Sequence, residues 1–211
     1  MIRLSFLLSF TFLFFGCVDS EEIFRKNFEA LKNSDDLDEI ISLLDEGSKE
    51  YFSELGKVAM KGKESEVDWF CNRTQVPFMS RYLIQFLGTV KQVDSTATFD
   101  LRTVIQYARL GEFGLLGFNS KQRYSFKELD HVEGNQALTI FRVSANATTN
   151  VTSRVQFNLE DEKWKINFPT SLSYAEKFLK KAWQKSGMAQ REFVDDVLEN
   201  GLSGVEFFIR Y

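Results

Sequence analysis

Apolar residues recur along this chain first at helical spacing, then at every second position, then at helical spacing again. Ile23, Phe24, Phe28 and Leu31 share one face between Glu21 and Asn33, as a short helix or tether would. Asp36 with Glu39 three residues on marks a helix start, followed by Leu37, Ile40, Ile41 and Leu44. Asp45-Glu46-Gly47-Ser48 interrupts the pattern, which resumes with Tyr51, Phe52, Leu55, Val58 and Ala59 until Lys61-Gly62-Lys63. Pro77 suits the first turn of a helix whose stripe is Met79, Tyr82, Leu83, Phe86, Leu87 and Val90. Phe99–Leu110 reads as a further helix, although Thr98–Val104 also fits a strand. From Arg123 the period is two: Arg123–Val132, Gln136–Ala145, Val151–Leu159 and Trp164–Phe168 predict a four-stranded meander with one buried and one wetter side. Beyond Pro169, Ala175, Phe178, Leu179, Ala182 and Trp183 form one helical stripe. Phe193, Val194, Val197 and Leu198 form another, and Val205–Tyr211 predicts a terminal strand.

The N-terminus obeys a different rule. Leu4–Val18 holds no charged residue over 15 positions, short of the roughly 20 that a bilayer-spanning helix needs and within the range of a secretory signal's apolar segment. The run closes on Phe14-Phe15-Gly16-Cys17. This resembles a bacterial lipobox, with Gly16 before the cut and Cys17 after it, and with Phe15 where a small residue is usual. The resemblance implies cleavage between Gly16 and Cys17 and acylation of Cys17, two or three chains giving stable anchoring where one would be marginal. It also implies a bacterial envelope location. Val18 in place of a retention aspartate, and the acidic tether Asp19-Ser20-Glu21-Glu22, point to the outer membrane, periplasmic or surface face. Cleavage further on, giving a secreted protein, is the alternative. In a eukaryotic source the leader would be an ordinary signal, and the sequons at Asn72, Asn146 and Asn150 would be glycan acceptors.

Charge and cysteine content narrow the partners. The formal charge of −4 becomes −5 once Arg3 leaves with the leader. A mildly acidic body without a basic patch is the wrong footprint for nucleic acid. With Cys17 acylated, Cys71 has no intrachain partner, so no disulfide framework is present.

The last hairpin of the meander runs Val155-Gln156-Phe157-Asn158-Leu159, an acidic turn Glu160-Asp161-Glu162, then Lys163-Trp164-Lys165-Ile166-Asn167-Phe168-Pro169. It resembles the closing hairpin of NTF2-like, SnoaL-like cone-fold bacterial lipoproteins of uncharacterised function. The resemblance implies an α+β fold with N-terminal helices packed on a curved antiparallel sheet. Trp164 would cover the sheet's open end and Pro169 would stop the strand. The organisation expected is a signal peptide at 1–16, an acylated cysteine and tether or short helix at 17–34, a cone domain at 35–169, and a C-terminal helical extension at 170–211.

Catalytic chemistry has thin support. His131 is the single histidine, and Asp130 beside it on a strand would point to the opposite face. One histidine and one cysteine outside the leader do not make a zinc site. Asp94 and Asp100 lack a calcium-loop pattern. No G-x-S-x-G or phosphate loop appears, Gly111–Gly117 included. No cofactor or metal is expected. Asp100, Tyr107 and Tyr82 at a cone mouth, with His131, are the weak catalytic candidates, a desolvated acid and a phenol moving protons as in cone-fold isomerases.

Three readings follow. The first is a lipid-anchored binding module without turnover, taking a small apolar ligand or an envelope protein, with Phe113-Gly114-Leu115-Leu116 as an apolar contact loop. The second is an isomerase or dehydratase. The third is an envelope assembly subunit pairing through Val205–Tyr211.

Overall fold

The computed structural model describes residues 20–110, 124–146 and 149–200. Six helices come first: α1 (Ser20–Asn33), α2 (Leu37–Ser42), α3 (Glu46–Lys61), α4 (Glu64–Arg73), α5 (Pro77–Val93) and α6 (Leu101–Leu110). Four strands follow, β1 (Tyr124–Glu133), β2 (Gln136–Asn146), β3 (Thr149–Glu160) and β4 (Lys163–Asn167), then α7 (Phe168–Ser186) and α8 (Gln190–Asn200). The class is α+β, with one antiparallel sheet in the order β1-β2-β3-β4. The expected lipobox, the Gly111–Gly117 loop and the terminal strand at 205–211 lie outside the described residues.

Local chemistry accounts for most element ends. Asp36 caps α2 by accepting from Asp38 N at 2.9 Å. The expected interruption at Asp45–Ser48 is a complete break. The chain leaves α2, makes one parallel bridge between Leu44 and Ile166, and starts α3 with Asp45 as its cap. Gly62, at φ 64°, ends α3 where only a residue without Cβ enters the left-handed region cheaply. Phe99–Leu110 resolves as helix from Leu101, with Asp100 accepting from Thr103 N at 2.8 Å. α4 was not anticipated. Six of its ten residues are polar or charged, and only Val67, Phe70 and Cys71 are buried.

The meander stands as read, within two residues at each boundary. Its inner face carries Ala137, Thr139 and Phe141 from β2, Val155 and Phe157 from β3 and Ile166 from β4, all fully buried or nearly so. Arg142 and Arg154 on the outer face are exposed. The β3–β4 turn places Asp161 and Glu162 at φ 50° and 63°, a type I′ geometry occupied here by two non-glycine residues.

α1 covers the inner face. The Phe24 ring lies 4.9 Å from that of Phe157 and edge-on to Trp164 at 5.2 Å, and Phe28 lies 3.8 Å from Phe141. Phe24, Phe28 and Leu31 are completely buried, each contributing on the order of 1.5–3 kcal/mol by leaving water. Of the tether or short helix read for residues 17–34, Ser20–Asn33 is helix, and its apolar face is core. The expected boundary at 169/170 likewise falls inside the first turn of α7. β4 spans five residues and β3 twelve, so among the described residues about half of β3 has no strand on that side. α7 packs there, with Ser171 Oγ accepting from Gln156 N at 3.1 Å. Leu172, Leu179, Ala182, Phe193, Val194 and Val197 join the same buried cluster as the sheet, which makes α7 and α8 part of the body rather than an extension outside it.

α3 and α6 meet at Gly56. A Cβ there would stand 2.3 Å from Phe99 O and 2.8 Å from Val104 Cγ2, so the helices approach through a glycine. Gly56→Ala is expected to lower stability by about 1–3 kcal/mol despite alanine's better helix propensity. Urea unfolding of the two proteins checks this, and equal midpoints would contradict the close approach.

Candidate functional site

The sequence-predicted residues do not assemble as a proton-transfer site. Asp100 is exposed and acts as the cap of α6. Its hydrogen bonds from the Thr103 backbone and side chain hold its carboxyl below the ordinary value, the reverse of a desolvated acid. Tyr107 is half-buried, its ring edge-on to Phe99 at 6.1 Å. Tyr82 is half-buried on α5 and packs against the core. Asp94 closes its own turn, accepting from Thr96 N at 2.9 Å and Thr96 Oγ1 at 2.6 Å.

His131 departs from expectation in one respect. A β-bulge between Leu129 and His131 breaks the strict alternation. Asp130 Oδ2 therefore stands 3.9 Å from His131 Nδ1 and 3.7 Å from Arg154 Nη2, instead of on the opposite face. Both side chains are open to water, and 3.9 Å is beyond hydrogen-bonding distance. The imidazole is thus not held in one orientation as a general base requires.

Buried polar chemistry gathers in two other places. The first is the junction of α3, β3, β4 and α7, organised by Asp45, which is 1% exposed. Asp45 Oδ1 accepts from Ser48 N at 2.8 Å and Ser48 Oγ at 2.5 Å. Oδ2 accepts from Asn158 Nδ2 and Asn167 Nδ2, both at 2.8 Å. Ser48 Oγ also accepts from Phe168 N at 2.7 Å, and Asn167 caps α7 through Thr170 N at 2.9 Å. Four donors exhaust the acceptor capacity of one carboxylate, so the assembly is a structural clasp.

The second lies between α3, α4, α5 and α7. Val76 cannot cap α5 with its side chain. The orphan N–H groups of Phe78 and Met79 donate instead to Glu176 of α7, at 3.0 and 3.1 Å. Burial raises the Glu176 carboxyl above its ordinary value, and those two backbone bonds offset only part of the rise. Nearby, Tyr51 OH and Ser80 Oγ share a 2.9 Å hydrogen bond, and Ser80 Oγ lies 3.1 Å from Thr74 Oγ1. Burial pushes the Tyr51 phenol well above its usual range. It also pushes the Cys71 thiol up to about 12, so Cys71 stays protonated at neutral pH and is not a thiolate nucleophile.

Arg81, 3% exposed, adjoins this cluster. Its Nη1 donates to Glu64 Oε1 at 2.6 Å and its Nη2 to Asp68. Burial works against the guanidinium charge, but the Glu64 bond and the surrounding anions more than restore it. Arg81 Nε and Gln85 Oε1, one turn apart on α5, have no protein hydrogen-bond partner. The cluster therefore offers one donor and one acceptor beneath a carboxylate rim, without a base poised on a nucleophile. Among the described residues, no group of three or more His, Cys, Asp or Glu side chains is gathered to hold a metal ion.

Periodicity could not have found these assemblies. Asp45-x-x-Ser48 carried the signature of a cap, but its partners Asn158 and Asn167 lie more than 110 residues on and read only as polar strand positions. Glu176 sits among apolar residues of α7 with nothing local to mark it. No protein-family model matches this chain, and no curated protein is significantly similar to it.

Asp45→Asn would turn a donor toward the Asn158 and Asn167 amides. It is expected to cost about 3–5 kcal/mol by leaving buried donors unpaired, measured by urea unfolding. Glu176 gives a pH signature. Its folded-state pKa is raised above 4.5, so the native state holds this proton longer and its contribution declines as pH climbs from about 4.5 through the folded value. Measured at successive pH values across that window, the stability of wild type relative to Glu176→Gln is expected to fall as pH rises. A difference independent of pH would contradict the assignment.

Proposed function

We propose that this protein is a lipid-anchored module of the bacterial cell envelope, held at the outer membrane through Cys17, that binds a ligand or partner and performs no turnover of its own. The observation that carries the reading is the uncharged Leu4–Val18 run closing on Gly16-Cys17, three residues before α1 begins at Ser20. A cleavable apolar leader, an acylatable cysteine and a folded body then follow in immediate succession.

The body suits binding better than catalysis. Its buried ionisable groups are committed to holding the fold: Asp45 clasps sheet to helix, Glu176 caps α5, and Arg81 ties α4 to α5. We assign the fold to the NTF2-like cone class on its order, helices before a late antiparallel meander, and on the Val155–Pro169 hairpin. The ligand would be small and apolar; an envelope protein is the alternative partner.

The anchor is tested in cells of a diderm bacterium given an alkyne fatty acid. Label and membrane fractionation are expected for wild type and lost in Cys17→Ser. Label in both proteins, or in neither, overturns the reading. Ligand binding is tested by native mass spectrometry of the mature body, in which a co-purifying apolar molecule is the expected result.

A further inference from the structure

The start of α1 limits how far the body can stand from its anchor. Cys17 and Ser20 are three residues apart, which at full extension is roughly 10 Å. Ser20 is already helical, and Phe24, one turn on, is completely buried against Phe157 and Trp164. Residues 20–24 therefore cannot peel away to lengthen the link without taking Phe24 out of the core. An acyl chain on Cys17 would hold the N-terminal end of α1 within about one headgroup layer of the bilayer.

The sheet fixes what else lies at that end. Leu129 N of β1 donates to Glu21 Oε1 at 3.3 Å in the first turn of α1. Phe28, further along the helix, lies over Phe141, four residues further from the β1–β2 turn than Ala137. α1 thus runs along the strands with its start toward the β1–β2 turn at Gly134-Asn135. The β3–β4 turn at Asp161-Glu162 is at the same end, because Asn135 O accepts from Leu159 N at 2.7 Å. Two of the large apolar side chains exposed on this molecule are found there, Val132 at 47% and Leu159 at 37%. Both continue the inner face beyond the part that α1 covers, and Trp164, paired with Leu159 across the β3–β4 ladder, is half-buried beside them. Exposed residues of the same end include Asp130, Glu133, Asp161 and Glu162, with Lys163 beside them, so acidic groups outnumber basic ones there.

We infer that the turn end of the sheet is a membrane-resting surface, with Val132 and Leu159 against the lipid headgroup region and Trp164 at its rim, the position an amphipathic ring prefers. The acidic turns make a zwitterionic surface the matching partner, because an anionic one would repel them across less than a Debye length. The far ends of α3 and α5 point into the aqueous space. α3 starts beside β3–β4, Glu46 N donating to the Glu160 carboxylate at 3.2 Å, and its 16 residues carry its other end about 24 Å away. The end of α5 lies there too, through Lys91 Nζ donating to Met60 O at 2.7 Å. The inference rests on acylation of Cys17 and adds an orientation to it.

The test uses the full chain processed in cells and returned to vesicles. Single cysteines at Val132→Cys, Leu159→Cys and, as turn positions tolerant of change, Glu133→Cys and Glu162→Cys carry an environment-sensitive fluorophore. Val93→Cys, at a position 91% exposed at the end of α5, is the comparison. In phosphatidylcholine vesicles with a headgroup nitroxide lipid, quenching is expected to be several-fold greater at the four turn-end positions than at 93. It should diminish when phosphatidylglycerol is added. Equal quenching at all positions, with intact mass showing an acylated Cys17, overturns the orientation and leaves the anchor standing. Stronger quenching on phosphatidylglycerol overturns the zwitterionic match. An unacylated Cys17 overturns anchor and orientation together.

Discussion

A buried carboxylate with four donors holds the two halves of this molecule in register. Asp45 sits where α2 breaks and α3 begins, and its oxygens bind Ser48 within α3 and Asn158 and Asn167 of the sheet. The same stretch of chain bridges to β4, with Ile166 N donating to Leu43 O at 2.7 Å and Asp45 N to Ile166 O at 3.1 Å. Because Asn167 also caps α7, one cluster sets the start of α3, the position of β4 and the departure of α7. A carboxylate this deeply buried is tolerable only when its lone pairs are satisfied. That requirement makes the clasp selective: the sheet can sit against the helices at one register and still meet it.

Glu176 repeats the principle on the other side. α5 begins at Pro77 after a valine that offers no capping oxygen, and the missing acceptor arrives from α7, about a hundred residues later in the chain. Desolvation of that carboxylate is partly repaid by the positive end of the α5 dipole and its two free N–H groups. α5 is consequently buried on more than the single stripe its apolar periodicity marks. Phe78, Ser80, Arg81 and Ile84 are inside as well, among α3, α4, α7 and α8.

The proposed anchor gains meaning from this rigidity. The acidic residues after Cys17 belong mostly to α1, whose Phe24 and Phe28 are core residues, leaving Val18 and Asp19 as the only link. A body so fastened would have little freedom to turn. Its turn end, with exposed Val132 and Leu159, must then be compatible with whatever surface the anchor enters.

Local periodicity and end signals determined the elements themselves. The four strands, the stop at Gly62, the starts at Asp36 and Pro77 and the apolar faces of α1, α3, α7 and α8 are set by interactions within a few residues. They are therefore legible in order along the chain. Where local signals were weak or balanced, they were not: α4 buries only three residues, and Thr98–Val104 suited strand and helix alike until Gly56 received Phe99 and Val104 at close range. Tertiary structure alone decided the pairing of Asp45 with Asn158 and Asn167, the capping of α5 by Glu176, the inclusion of α1, α7 and α8 in one core and the exposure of Asp100 as a cap. Each of those joins groups distant in sequence or depends on what solvent can reach. A one-dimensional pattern records which residues avoid water, but not which partner a buried polar group will find.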